Sequence, residues 1–179
     1  MVSDNPHIHR ATAKDAKLLS SLSKVTFFDT FNETCTEEDM SSFIEEYFNE
    51  DRLQRELQDE DDFYFIAFSK DVPIGYMRLK YAESSVEIIA KHRAIELNRI
   101  YVMKEFHSKK IGAALMTFAF DFASTNNYEM IWLGVWEHNE RAKSFYKKFG
   151  FIDSGEKHPF PIGKTPQTDD WLYRFIEKS

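Results

Sequence analysis

The chain has 179 residues, a net charge of −7, 42% hydrophobic and 16% aromatic residues: enough for one domain with its own core and too apolar to be disordered. A lone cysteine, Cys35, excludes an internal disulfide and fits a reducing, cytoplasmic setting. No apolar run approaches the roughly 20 residues of a membrane helix, the N-terminus carries no apolar signal segment, and the net acidity argues against a nucleic-acid partner. In chain order, Ile8 to Ala11 reads as a short strand, and Thr12 and Asp15 have capping-box-like spacing ahead of Leu18, Leu22 and Val25 at helical spacing. Met40, Phe43, Ile44, Tyr47 and Phe48 mark an amphipathic helix started by Thr36, with Glu37, Glu38 and Asp39 at its positive end. A second short helix carries Leu53 and Leu57.

Phe63–Phe68 is a continuous apolar run, expected as a buried strand, and Asp71-Val72-Pro73 is a turn into a second strand, Ile74–Tyr81. Residues 82–93 read as irregular, Ala94–Val102 as a strand, Ile111–Ala123 as a largely buried helix and Met130–Val135 as a strand. Asn139–Phe149 is an amphipathic helix closed by Gly150. A strand starts at Phe151, Gly155–Thr168 is a loop, and Trp171–Ile176 is a final strand. The order predicts a mixed α/β sheet of about seven strands with helices on its faces, its strand–helix–strand stretches implying some parallel pairing. The charge is uneven: residues 29–62 hold 14 acidic residues against Arg52 and Arg55, a sum of −12, leaving +5 on the remainder. That excess is either a solvated helix face or an entrance attracting a cation.

Two segments carry chemistry. Residues 100–115 run from a strand through a loop with Lys104, Lys109 and Lys110 into a helix. The N–H groups opening that helix lack intrahelical partners and suit an anion such as a pyrophosphate. Gly112 allows close backbone approach. The second segment is Asn139-Glu140-Arg141-Ala142-Lys143-Ser144-Phe145-Tyr146-Lys147-Lys148-Phe149-Gly150-Phe151. The six histidines show no metal-ligand spacing, so no metal is expected.

This second run resembles the N-x-x-A-x-x-x-Y-x-x-x-G-F signature of the GNAT acetyltransferases, and residues 107–112 resemble their acetyl-CoA pyrophosphate loop. The Trp132–Glu137 run, the Thr26–Met40 stretch and Gln167-Thr168-Asp169 resemble the PaiA-like polyamine acetyltransferases. The loop departs from the family pattern where His107 stands for Gln/Arg and Lys110 for the first Gly; a lysine presents its N–H there if its backbone angles are ordinary.

The resemblance implies a GNAT fold over 1–179, a homodimer, and an enzyme moving an acetyl group from acetyl-CoA to a small amine, a polyamine such as spermidine or spermine. It implies Tyr146 as the acid that protonates the departing thiolate, Glu96 as base, and the Val102 N–H as oxyanion donor. Acetyl-CoA would meet Ile100, Tyr101, Val102, His107, Ser108, Lys109, Lys110, Ile111, Gly112, Ala113, Asn139, Ala142, Phe145 and Tyr146. The amine would meet Phe28, Asp29, Phe31, Tyr47, Asn98 and Trp136, whose rings and carboxylate suit a polycation. Strand alternation is expected to put Glu96, Asn98, Ile100 and Val102 on one face. Two other functions stay open: acetylation of proteins or peptides, and CoA-dependent regulation with little catalysis.

Overall fold

The computed structural model describes residues 6–177. One sheet holds all seven strands in the order β1-β2-β3-β4-β5-β7-β6. The strands are β1 (His7–Arg10), β2 (Asp62–Ser69), β3 (Val72–Lys80), β4 (Ala94–Val102), β5 (Met130–Trp136), β6 (Ile152–Pro159) and β7 (Thr168–Phe175). Six α-helices accompany them: α1 (Ala16–Phe31), α2 (Glu37–Tyr47), α3 (Glu50–Glu56), α4 (Glu87–Ala90), α5 (Ile111–Thr125) and α6 (Glu140–Lys148).

The local signals act as expected. Asp15 accepts the Thr12 N–H at 2.8 Å, and the Thr36 hydroxyl accepts the Asp39 N–H at 3.1 Å to open α2. Gly150, at φ +76, lets its own N–H and that of Phe151 turn back to Lys147 and Tyr146 and close α6. Three details differ from the sequence reading. The β2–β3 turn is at Lys70-Asp71, so Val72 and Pro73 already belong to β3, where a proline is tolerated near a strand start. Residues 82–93 contain the single turn α4, which buries Ile89. Strand β6 runs on to Pro159, through a register shift between Asp153 and Lys157 that Gly155, at φ +79, makes possible.

Helices cover both faces. Leu19 and Leu22 of α1 and Leu53 of α3 pack on Tyr64, Ile66 and Tyr76. On the opposite face Leu115, Met116 and Ala119 of α5 pack on Phe65, Met77, Ile95 and Ile131, and Tyr146 of α6 joins the same cluster. Leu115 is fully buried, and truncating such a leucine to alanine costs about 2–5 kcal/mol.

The sheet opens in the middle. Parallel β4 and β5 pair only at Ala94–Met130, Ile95–Ile131 and Glu96–Trp132, then diverge. A bulge accompanies the divergence: Leu97 opposes Leu79 and Arg99 opposes Arg78, leaving Asn98 as an extra residue. One extra residue exchanges the faces of everything after it. Glu96 therefore shares its face with Arg99 and Tyr101, towards α1 and α3, whereas Ile100 and Val102 pack with the α5 cluster. This corrects the single face expected for Glu96, Asn98, Ile100 and Val102. The stretch from β5 through α6 also yields no parallel neighbour, because β7 enters between β5 and β6 and pairs antiparallel with both.

Candidate active site

The divergence of β4 and β5 opens a cleft of about 1070 Å³ between strand edges, the start of α5 and one side of α6. It is lined by Ile100, Tyr101, Val102, His107, Ser108, Lys110, Ile111, Gly112, Ala113, Asn139, Ala142, Phe145 and Tyr146, which brings the two sequence segments together. Lys109 lies outside the lining, its ammonium 4.6 Å from the Phe106 ring centre.

Helix α5 presents open donors here. Its first intrahelical bond runs from Ala114 N–H to Lys110 O at 3.0 Å, and no side chain caps it. The N–H groups of Ile111, Gly112 and Ala113 thus have no intrahelical acceptor. Lys110 turns the chain into the helix at φ 62, and Ser108 is also left-handed at φ 66. The backbone of Lys110 is therefore not ordinary: it adopts the conformation a glycine takes freely, at about 1–2 kcal/mol.

His107 braces the loop. Its Nε2 is 2.9 Å from the Val102 carbonyl oxygen and its Nδ1 is 3.0 Å from Arg141 Nη1. A carbonyl only accepts and a guanidinium only donates, so the hydrogen is on Nε2 and Nδ1 is the acceptor. His107 thereby ties the end of β4 to α6. The Met103 N–H donates to Ile74 O on β3 at 2.9 Å, so strand alternation turns the Val102 N–H to the opposite edge, into the cleft. Asn139 caps α6, its Oδ1 accepting the Ala142 N–H at 3.0 Å, while also lining the cleft.

Of the residues expected to meet the amine, Asp29, Phe31, Asn98 and Trp136 line the cleft, but Phe28 and Tyr47 do not. Phe28 is half exposed, and Tyr47 stacks on Phe43 beneath Arg52. Glu96 adjoins the lining residues Leu97 and Asn98. Its carboxylate accepts a hydrogen bond from Asn98 Nδ2 at 2.9 Å, and burial pushes its pKa up despite Asn98, Arg78, Lys80 and Arg99. It forms no ion pair with Arg99 or Arg93: Arg99 donates to the Tyr64 hydroxyl and pairs with Glu56, and Arg93 lies over Tyr128. Tyr146 is buried, and burial together with Asp169 pushes its phenol well above its usual pKa, keeping it protonated.

The acids of 29–62 divide by role. Asp62 takes two hydrogen bonds from Arg78, and Glu56 joins Arg52, Arg78 and Arg99. Asp39 holds the β6–β7 loop through the Lys164 N–H at 2.8 Å and the Thr165 hydroxyl at 2.7 Å.

One acid beside the cleft escaped the reading of residues and spacing, which took Asp169 only as part of a resemblance. Asp169 lies opposite Trp136 in the β5–β7 ladder, and its Oδ2 would be 2.8 Å from a Cβ placed on the cleft residue Gly134. A larger residue at 134 would displace it. Burial, with Asp170 and Glu96 adding repulsion, pushes its pKa to about 7. Adjacent Asp170 is on the other face, bonded to Lys143 at 2.7 Å, and its pKa is lowered. Two successive aspartates in a strand were the available signal, since alternation must send them to opposite faces.

Among the described residues no group of three or more His, Cys, Asp or Glu is placed to hold a metal ion, and no helix is long and apolar enough to cross a membrane. The profile of the acetyltransferase (GNAT) family matches residues 25–151. An uncharacterized N-acetyltransferase from Lactobacillus delbrueckii is 34% identical over 169 residues, covering 94% of this chain and 96% of the relative. A spermidine N(1)-acetyltransferase from Thermoplasma acidophilum is 26% identical, covering 80% and 86%. Among solved structures, the PaiA N-acetyltransferase of Thermoplasma acidophilum in complex with coenzyme A superposes with a TM-score of 0.77 at 22% identity, covering 96% of this chain and 99% of that one. With the open helix terminus, the splayed strands and the signature tyrosine in one cleft, the chain belongs to the GNAT acetyltransferase family, and its chemistry is acetyl transfer from acetyl-CoA.

Proposed function

We propose that the acceptor is a primary amine of a polyamine such as spermidine or spermine. The observation that carries this reading is the character of the acceptor side: Asp29 and the rings of Phe31 and Trp136 line it, and Glu96, next to the lining residues Leu97 and Asn98, forms no ion pair among the described residues. A flexible polycation is matched by such a wall through ion pairs and cation–π contacts. The named spermidine N(1)-acetyltransferase relative supports it, as does the fold shared with a spermidine N-acetyltransferase of Vibrio cholerae in complex with CoA and spermine, at a TM-score of 0.70 and 22% identity over 97% of both chains.

In this proposal the N–H groups of Ile111, Gly112 and Ala113 hold the pyrophosphate, and the unpaired edge of β4 aligns the pantetheine arm as an added strand. The Val102 N–H meets the oxygen that gains charge. Tyr146, kept protonated, donates to the departing sulfur. The amine arrives as an ammonium, with a pKa near the lysine value of ~10.4, and a carboxylate beside the cleft must take its proton; Glu96 is the one the family resemblance names.

The test is a thiol-release assay with acetyl-CoA and a panel of spermidine, spermine and peptides. The expected result is a kcat/KM for spermidine or spermine at least about tenfold above that for any peptide, a difference of ~1.4 kcal/mol in transition-state binding. Preferential turnover of peptides would move the acceptor to a protein, and CoA binding with no turnover of any amine would leave a regulatory CoA-binding protein.

A further inference from the structure

A carboxylate beside the cleft is used by neither the family signature nor the proposed roles. We propose that Asp169 accepts the proton that the acceptor ammonium must shed, with Glu96 as the carboxylate that holds the ammonium beside it. The inference rests on transfer to an amine, whichever amine that is.

Placement carries the argument. Asp169 sits across the β5–β7 ladder from Trp136, and its carboxylate occupies the space that Gly134 leaves by lacking a side chain. Both neighbours line the cleft. Asp169 is half-buried rather than sealed in the core. No ion pair or hydrogen bond to its side chain is present among the described residues, and the influences on its charge are burial, Asp170 and Glu96, all unfavourable to the anion. A buried anion without a cation is costly, and an arriving ammonium removes that cost. The groups around it are settled. Glu96 comes from β4, Tyr101 from β4 and Tyr146 from α6, the last two coupled to it as phenols. On β6 its register partner is His158, whose ring stacks on Trp171. The nearby lysines, Lys143 and Lys157, are engaged by Asp170 on the other face. Glu96, by contrast, is already oriented by the Asn98 amide. A proton affinity near neutrality suits Asp169 to the exchange.

The step balances. One ammonium proton moves to Asp169 and freees the nitrogen lone pair, and Asp169 later returns that proton to water. The N–C bond forms at the thioester carbonyl as the C–S bond breaks, its electron pair leaving on sulfur. Tyr146 protonates that sulfur, and the second nitrogen proton, which leaves as the amide forms, is passed through water to the phenolate and restores it.

The test is the pH profile of kcat/KM for wild type, Asp169→Asn and Glu96→Gln, measured with whichever amine the wild type turns over. Failure of the polyamine reading is then seen in the amine panel, and failure of this assignment in the profile. Asp169→Asn is expected to lower kcat/KM at pH 7 by about 100-fold, with the rate then climbing about tenfold per pH unit as solution supplies free amine. Glu96→Gln removes the neighbouring negative charge, so the acidic limb is expected to persist and move to lower pH. An Asp169→Asn profile that keeps the wild-type shape overturns the proposal, as does a Glu96→Gln enzyme that loses its acidic limb. If Asp169→Asn does not fold, the Glu96→Gln arm still decides.

Discussion

Two groups of carboxylates flank β4, and they are built in opposite ways. In the first, Asp62 and Glu56 meet Arg78, Arg99 and Arg52 in a closed network. Although burial alone would raise the Glu56 pKa, Arg78 and Arg99 with the Tyr64 and Arg52 hydrogen bonds hold it below its usual value. In the second, Glu96 and Asp169 form no ion pair among the described residues, and both pKa values are raised by burial. Both groups are acidic and at least partly buried. The difference is that the charges of the first are paired by the chain itself, whereas those of the second are left without an ion pair. A closed network holds strands and helices together; an open pair is a place for a cation to arrive.

The contrast can be broken from the closed side. Arg78→Met leaves Asp62 buried without its partner, and removing one member of such a pair costs about 3–5 kcal/mol. For a domain of this size the expected loss in Tm is about 10 °C, measured by thermal unfolding. Next in size is the donor beside the open pair. Tyr146→Phe is expected to lower kcat about 100-fold, ~2.7 kcal/mol, with little change in the Kd of CoA measured by calorimetry.

Neutralising the open pair should do the reverse of Arg78→Met. The folded-state pKa of Asp169 is about 7, above the unfolded ~3.9. The folded state thus binds the proton more tightly, and this stability is present below pH 4 and lost as pH rises through 7. Asp169→Asn is therefore expected to be more stable than wild type at pH 8, by about 1–2 kcal/mol after discounting for solvent screening, with a smaller difference at pH 5. Urea unfolding at the two pH values checks the sign. Asp170→Asn should give the smallest effect, a loss of about 0.5–1 kcal/mol from partly exposed bridges to Lys143 and Lys157. A loss from Asp170→Asn larger than that from Arg78→Met would reverse the division drawn between the two groups.

Much of this was legible in the amino-acid order because it depended on local chemistry. Thr36, Asn139 and Gly150 mark helix ends through bonds to their immediate neighbours, and the apolar runs of β2 and α5 state their own burial. The spacing of their two segments singled out Tyr146 and His107, and both line the one cleft. What escaped depended on partners distant in sequence. The entry of β7 between β5 and β6 is a choice among strand edges, and no periodicity records it. The Asp169 carboxylate acquires its character from Gly134 and Glu96, 35 and 73 residues away. The extra residue at Asn98 is invisible in a strand that carries apolar and charged residues on both sides of it, and it reverses an alternation argument that was sound for a regular strand.

That extra residue makes the open sheet a matter of parity. Sliding the end of β4 by one position, so that Asn98 joins the ladder opposite Arg78, would let β4 pair evenly along its length, which in isolation is the more stable arrangement for a strand. That shift would also turn Arg99 and Tyr101 towards the packed leucines beneath α5, and Ile100 and Val102 towards the network of Glu56 and Tyr64. A guanidinium among leucines is a far greater penalty than an unpaired strand edge. The chain therefore cannot close the gap by slipping one position, and the opening is locked by an odd count of residues rather than by any bond across it.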